Sequence, residues 1–157
     1  MSAIGPDLYR QVLGHLPTGV TVIAADGESG PVGMAVNSFT SVSLDPPLVL
    51  FCPARSSSTW PAIRDAGRFC VSVMAGHHEK ACRRFADPRA DRFAGIPWSP
   101  RPCGPALDDA VAWIDCLLED EHEAGDHTIA VGAVVAMEAA SAVSPLVFFQ
   151  GCYGTFL

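Results

Sequence analysis

Four short stretches of this 157-residue chain carry side chains suited to chemistry. Gly125-Asp126-His127 lies between two strand-like runs. A Gly-Asp step is ordinary hairpin chemistry, so a turn accounts for the first two residues and leaves His127 open as either a hydrogen-bonded structural histidine or a catalytic one. Arg55-Ser56-Ser57-Ser58-Thr59-Trp60 joins a cation to a hydroxyl-rich turn at the start of a helical pattern. Free N–H groups, hydroxyl donors and the helix dipole would hold a phosphate there; the plainer alternative is an N-cap with surplus serines. Asn37-Ser38-Phe39-Thr40-Ser41, continued by Ser43-Leu44-Asp45-Pro46-Pro47, sets hydroxyls and an amide inside what should be an apolar strand pair. Buried without partners they would be costly, so they either alternate toward solvent or offer hydrogen bonds to a flat polar heterocycle at a barrel mouth. Residues 145 to 154 gather Phe148, Phe149 and Tyr153 around a glycine bend, as barrel-closing core or as the wall of a stacked-ring site.

Metal chemistry is not expected. The cysteines at 52, 70, 82, 103, 116 and 152 form no CxxC pair, and His77, His78 and Cys82 lack a fourth ligand nearby in sequence. Several, such as Cys70, fall in apolar strand-like runs and read as reduced, buried thiols.

The elements that must position these groups are mostly strands. Leu8, Tyr9, Val12, Leu13 and Leu16 recur at helical spacing between Pro6 and Pro17, which predicts a short amphipathic helix over 7–16. An extended run over 19–25, a turn at 26–30 and a second run reaching Leu44 predict a hairpin, and Asp45-Pro46-Pro47 a bend before a strand over 48–52. Short helices are expected over 56–66 and 77–86, around a strand over 69–75. Residues 87–105 read as a surface loop anchored by Phe93, Ile96 and Trp98, with further strands at 112–123, 127–138 and 145–150. No βαβ rhythm and no G-x-G-x-x-G follow, so a Rossmann sheet is excluded in favour of a mainly β fold with short helices, a closed or nearly closed antiparallel barrel in one domain over 1–157.

Composition narrows the partners. Hydrophobic residues make 49% of the chain and charged ones 17%, which excludes disorder and leaves apolar surface to bury between subunits. A net charge of −7, with no basic run longer than Arg83-Arg84, excludes nucleic acid. Pro6, Asp7, Arg10 and His15 interrupt any secretory signal, and no apolar run approaches the roughly 20 residues of a membrane span, so no membrane partner and a cytoplasmic location are expected.

Taken together, these stretches resemble the short-chain flavin reductases, which supply reduced flavin to separate monooxygenases. The likeness runs through Leu16-Pro-Thr-Gly-Val-Thr-Val, the segment from Gly33 to Cys52, Ser57-Ser-Thr-Trp60, Arg84-Phe-Ala86, Phe93-Ala-Gly, Gly125-Asp-His127 and the terminal Pro-Leu-Val-Phe-Phe-Gln-Gly-Cys-Tyr. It covers nearly the whole chain. It implies that Ala35, Val36, Asn37, Ser38, Phe39 and Thr40, with Ser43 and Leu44, line the flavin ring and ribityl chain. It also implies that Ser57, Ser58 and Thr59 take the phosphate, that Cys52, Pro53 and Ala54 lie beside the flavin, and that Phe85 and Ala86 contribute from a helix end. Asp126 and His127 would face the nicotinamide, with Tyr153 and Gln150 at the same pocket. Family members usually carry an arginine where this chain has Gln150, which can hydrogen-bond but cannot supply charge. The implied fold is mainly β with short helices, an antiparallel, Greek-key-like split barrel, and the implied activity is hydride transfer from NADH or NADPH to FMN or FAD by a homodimer. The alternatives are a flavin carrier without reductase activity and an enzyme with tightly held FMN acting on a small substrate.

Overall fold

The computed structural model describes residues 3–156. In chain order its elements are α1 (Pro6–Leu13), β1 (Thr18–Gly19), β2 (Thr21–Gly27), β3 (Gly30–Val36), β4 (Thr40–Leu44), β5 (Pro47–Phe51), α2 (Trp60–Ala66), β6 (Arg68–Val73), a 3-10 turn (Gly76–His78) and α3 (Glu79–Ala86). There follow β7 (Trp98–Arg101), β8 (Gly104–Leu107), β9 (Ala112–Ala124), β10 (His127–Ala139), β11 (Leu146–Phe149) and β12 (Cys152–Thr155).

Seven strands form one antiparallel sheet in the order β3-β2-β6-β9-β10-β5-β4. Its two edges, β3 and β4, are consecutive in sequence and joined only by Asn37, Ser38 and Phe39. A flat sheet of this width would hold them about 29 Å apart at the usual ~4.8 Å strand spacing. The connection from Val36 to Thr40 reaches at most about 14 Å, so the sheet must roll until its edges nearly meet. That is the split barrel, and the single run expected through Leu44 is therefore two strands at opposite edges.

The barrel encloses Ile23, Val36, Val49, Phe69, Val71 and Ile114, and Trp60 and Ile63 of α2 plug it. Phe51 sits edge-on to both Trp60 and Phe69, with ring centroids 5.5 and 5.2 Å away. Gly132 of β10 has no room for a side chain, because a Cβ there would lie 2.8 Å from the Phe69 ring. A second core, with Val22, Ala24, Met74, Cys82, Phe85 and Leu107, packs α3 and β8 on the outer face. Residues 21–25 of β2 are thus buried on both faces, which explains the unbroken apolar run from Val22 to Ala25.

Several expectations change in detail. The first helix ends at Leu13 and buries none of its residues, leaving its apolar stripe in solvent. The second begins at Trp60 rather than Ser56. The segment 87–105 holds the β7–β8 ribbon, and the glycine tail is strand β12, turned from β11 by Gln150 and Gly151 at φ 49° and 76°. All six cysteines are free thiols; burial pushes Cys70, Cys82 and Cys116 up to about 12, which makes them inert.

His77 and Cys82 join no metal cluster among the described residues, and His78 has a structural task. Its Nδ1 accepts the Ala75 N–H at 3.1 Å, so Nε2–H donates to the Asp108 carbonyl at 3.1 Å. Burial, with His77 alongside, lowers its pKa from 6.5. The folded state therefore binds this proton less readily than the unfolded chain, and the stability His78 contributes is present above pH 6.5 and lost as the pH falls through its lowered folded pKa. The melting temperature is expected to drop between pH 7.5 and 5.5, with a shallower drop in His78→Gln, measured by calorimetry.

Candidate active site

The split in the barrel forms the site. The extended chain leaving β5 lies against the start of β10: Ala54 bridges His127, the Thr128 N–H donates to the Pro53 carbonyl at 2.9 Å, and the Arg55 N–H donates to the Asp126 carbonyl at 2.9 Å. The crossing from β3 to β4 is stitched onto the same segment, because the Cys52 N–H donates to Ser38 Oγ at 2.9 Å. Segments from three parts of the sequence, around 38, 53 and 127, therefore meet at one rim. The His127 ring is half exposed, and its Nδ1 lies 2.7 Å from Asp126 Oδ1. A carboxylate only accepts, so Nδ1–H donates to it, and the tautomer with its proton on Nδ1 leaves Nε2 as an acceptor. The same bond holds the Asp126 carboxyl below its ordinary pKa.

Along β3 from this rim, Ala35, Val36, Asn37, Ala86, Phe148 and Tyr153 wall a cavity of about 190 Å³, with Val20 as the remaining lining residue. Tyr153 packs on Phe148 at 5.2 Å, and the Arg83 guanidinium lies over its ring, 4.9 Å from the centroid. Burial raises the Tyr153 phenol pKa, which keeps it a neutral hydrogen-bonding group.

Further along the same strand, Ser58 and Thr59 line a cavity of about 250 Å³ together with Arg92. Arg92 Nη1 donates to Thr59 Oγ1 at 2.9 Å and to the Gly33 carbonyl at 2.8 Å, and its Nε donates to the Asp87 carbonyl at 3.1 Å. Arg92 was missing from the sequence expectation. Its signal was Phe93, the loop anchor next to it, whose ring packs edge-on against Phe85 at 4.9 Å and so fixes its neighbour. Arg55, the cation expected there, turns instead to Glu123 and the Gly125 carbonyl.

Other expected residues are placed elsewhere. Ser57 Oγ accepts the Thr59 and Trp60 N–H groups at 3.2 and 3.1 Å, so its hydroxyl caps α2. Phe85 is fully buried in the outer core and Phe39 packs on the inner one, leaving Ala86 as the residue of that helix end at the cavity. Thr40 starts β4 in solvent, while Ser43 and the 94% exposed Leu44 lie at that strand's far end, about 13 Å further on at ~3.3 Å per residue. Gln150 is exposed in the β11–β12 turn, where its N–H donates to Gly14 at the end of α1.

A rolled sheet with a small apolar cavity, a half-buried cation and a histidine turn along its open seam can be compared with known proteins. Residues 13–156 match the family model described as flavin reductase like domain. The chain belongs to this family. Among flavin reductase relatives, it is 48% identical over 157 residues to a flavin reductase of Pseudomonas putida, covering 99% of this chain and 92% of that protein. It is 45% identical over 152 residues to the reductase subunit HsaB of a flavin-dependent monooxygenase from Rhodococcus jostii, covering 96% and 78%. Its fold matches that of the Streptomyces globisporus NADH:FAD oxidoreductase SgcE6, with a TM-score of 0.91 and 38% identity over 100% of this chain and 98% of that one. SgcE6 has also been solved with NAD and FAD fragments. The match accords with the antiparallel barrel anticipated from the strand pattern and with the split-barrel form that the family resemblance implied.

Proposed function

We propose that this chain is an NADH-dependent flavin reductase that hands reduced flavin to a separate monooxygenase, as a cytoplasmic homodimer. The observation that carries the reading is the seam along β3, with a mostly apolar cavity beside the His127 rim and a half-buried guanidinium with hydroxyls near Gly33, about 13 Å away along the strand at ~3.3 Å per residue. The groups fit a flavin. Ala35, Val36, Ala86 and Tyr153 suit its ring, Asn37 its heterocyclic edge, and Ser58, Thr59 and Arg92 its phosphate.

A flavin held there would supply the redox chemistry, with a reduced nicotinamide as the hydride source. The chain needs no nucleophile. Ser38 holds the β3–β4 crossing against Cys52, which fixes the rim on which the rings stack. Asp126 fixes the His127 ring, whose Nε2 can accept the carboxamide N–H of a nicotinamide and set its face. The walls around Tyr153 exclude water from the contact.

Purified protein crossed with FMN, FAD, NADH and NADPH tests the reading: NADH oxidation that rises with added free flavin supports it, and bound flavin inert toward both nicotinamides overturns it. Arg92→Ala is expected to raise the FMN dissociation constant about 10- to 100-fold, since hydrogen bonds to a charged group contribute roughly 1.5–3 kcal/mol. Riboflavin, which lacks the phosphate, should bind parent and variant alike in the same titration.

The homodimer rests on apolar side chains left in solvent, among them Leu44 of β4 and the 66% exposed Met137 of β10. Sedimentation is expected to report a dimer. The cytoplasmic placement rests on the free thiols and on NADH as reductant.

A further inference from the structure

The seam continues past Arg92. Val32 and Ala62 line both the cavity that holds Thr59 and Arg92 and a second one of about 360 Å³, so the two adjoin. Asp26, Glu28 and Ser29 of the β2–β3 hairpin form one wall of the second cavity, and Asp65 and Ala66 of α2 the other. Ala62, Asp65 and Ala66 follow helical spacing on one face of α2, and the two alanines leave that face open.

We propose that this second cavity takes the adenosine half of FAD, which makes FAD the flavin this chain prefers. The inference rests on the flavin reading above and extends it at the phosphate end. Three observations carry it. The cavity lies beyond Arg92 on the side away from His127, and FAD has the same order: ring, phosphates, adenosine. Its volume falls in the range of about 300–1,000 Å³ usual for small-molecule sites. Its ionisable lining is acidic, with Asp26, Glu28 and Asp65 and no lysine or arginine. Arg64 stands near Asp65 at 4.0 Å on the exposed side of the helix. Carboxylates accept ribose hydroxyls and repel a further phosphate, so the cavity suits a nucleoside terminus. Arg92 lies where the diphosphate would cross from one cavity to the other.

The test is calorimetric titration of the full chain with FMN and with FAD, in the parent, Ser29→Trp and Ala66→Trp, two positions that line the second cavity and not the first. The parent is expected to bind FAD about tenfold more tightly than FMN, and each tryptophan to weaken FAD about tenfold while leaving FMN within about twofold. Retained FMN binding also reports that each variant is folded, and either variant alone decides the matter. Equal affinities in the parent, or variants that weaken both flavins or neither, overturn the inference. So does a rise in the NADH KM with FMN as acceptor and FAD affinity unchanged, because the cavity would then serve the reductant. Failure of the parent to bind FMN at all would sink the flavin reading itself, a distinct result.

Discussion

His127→Ala is expected to lower NADH turnover about a hundredfold, the loss typical of misplacing a reacting group by an ångström, while moving flavin affinity by less than about twofold. The split between the two effects comes from the rim's construction. The His127 backbone is held by its bridge to Ala54 and by neighbouring bonds between Thr128 and Pro53 and between Arg55 and Asp126. None of these uses the imidazole. Its side chain is half exposed and touches Asp126 through a single 2.7 Å bond, so removing it deletes an orienting group without opening a cavity in either core. Asp126→Asn tests the positioning: an amide oxygen still accepts Nδ1–H, but without the charge that strengthens the bond, so an intermediate loss of turnover is expected. Stopped-flow reduction with saturating flavin separates hydride transfer from flavin release. A variant that reduces flavin as fast as the parent would remove His127 from the reaction.

The class of fold was legible because the strand pattern is local and strong: residues 22–25 are apolar throughout, and β9 and β10 are long extended runs on either side of Gly125 and Asp126. The crossing at 37–39 was not legible, since an extended run reads the same whether it stays at one edge of a sheet or passes to the other; only the rolled strand order separates β3 from β4. The β7–β8 ribbon was hidden by Pro100 and Pro105, which read as loop residues. They stand opposite each other in a two-stranded ribbon, where a missing N–H can face outward. Along the seam, Ala35, Val36, Asn37 and Tyr153, grouped by the family resemblance, do line one cavity. Arg92 was not legible, because a lone arginine in a polar loop carries no local pattern. Phe85 shows the converse: Ala81, Cys82 and Phe85 recur at helical spacing, and that periodicity assigns Phe85 to the core.

Asp115→Ala is expected to destabilise the fold by about 3–5 kcal/mol, because it breaks a buried ion pair on one side only. Asp115 of β9 is fully buried; it accepts Arg101 Nε at 2.9 Å and the Cys103 N–H at 3.1 Å. Arg101 also reaches Glu138 of β10 at 2.9 Å, so the three side chains pin the β7–β8 ribbon to the barrel wall. Alanine would leave the largely buried Arg101 guanidinium short of a partner and the Cys103 N–H unsatisfied. Glu138 is 62% exposed, and Glu138→Ala should cost less than about 1 kcal/mol, since solvent replaces what it offers. Against a typical total of about 5–15 kcal/mol, the Asp115 loss is a large share of the stability and should appear as a markedly lower urea midpoint. Turnover per folded molecule should remain that of the parent, because Asp115 lies about 30 Å along β9 from the Asp126–His127 turn at ~3.3 Å per residue. A double change to apolar residues, Arg101→Met with Asp115→Leu, should recover most of the loss, since neither charge is then stranded. If Asp115→Ala unfolds within about 1 kcal/mol of the parent, the triad contributes no more than a surface ion pair, and the ribbon must be held by Leu107 and the outer core instead.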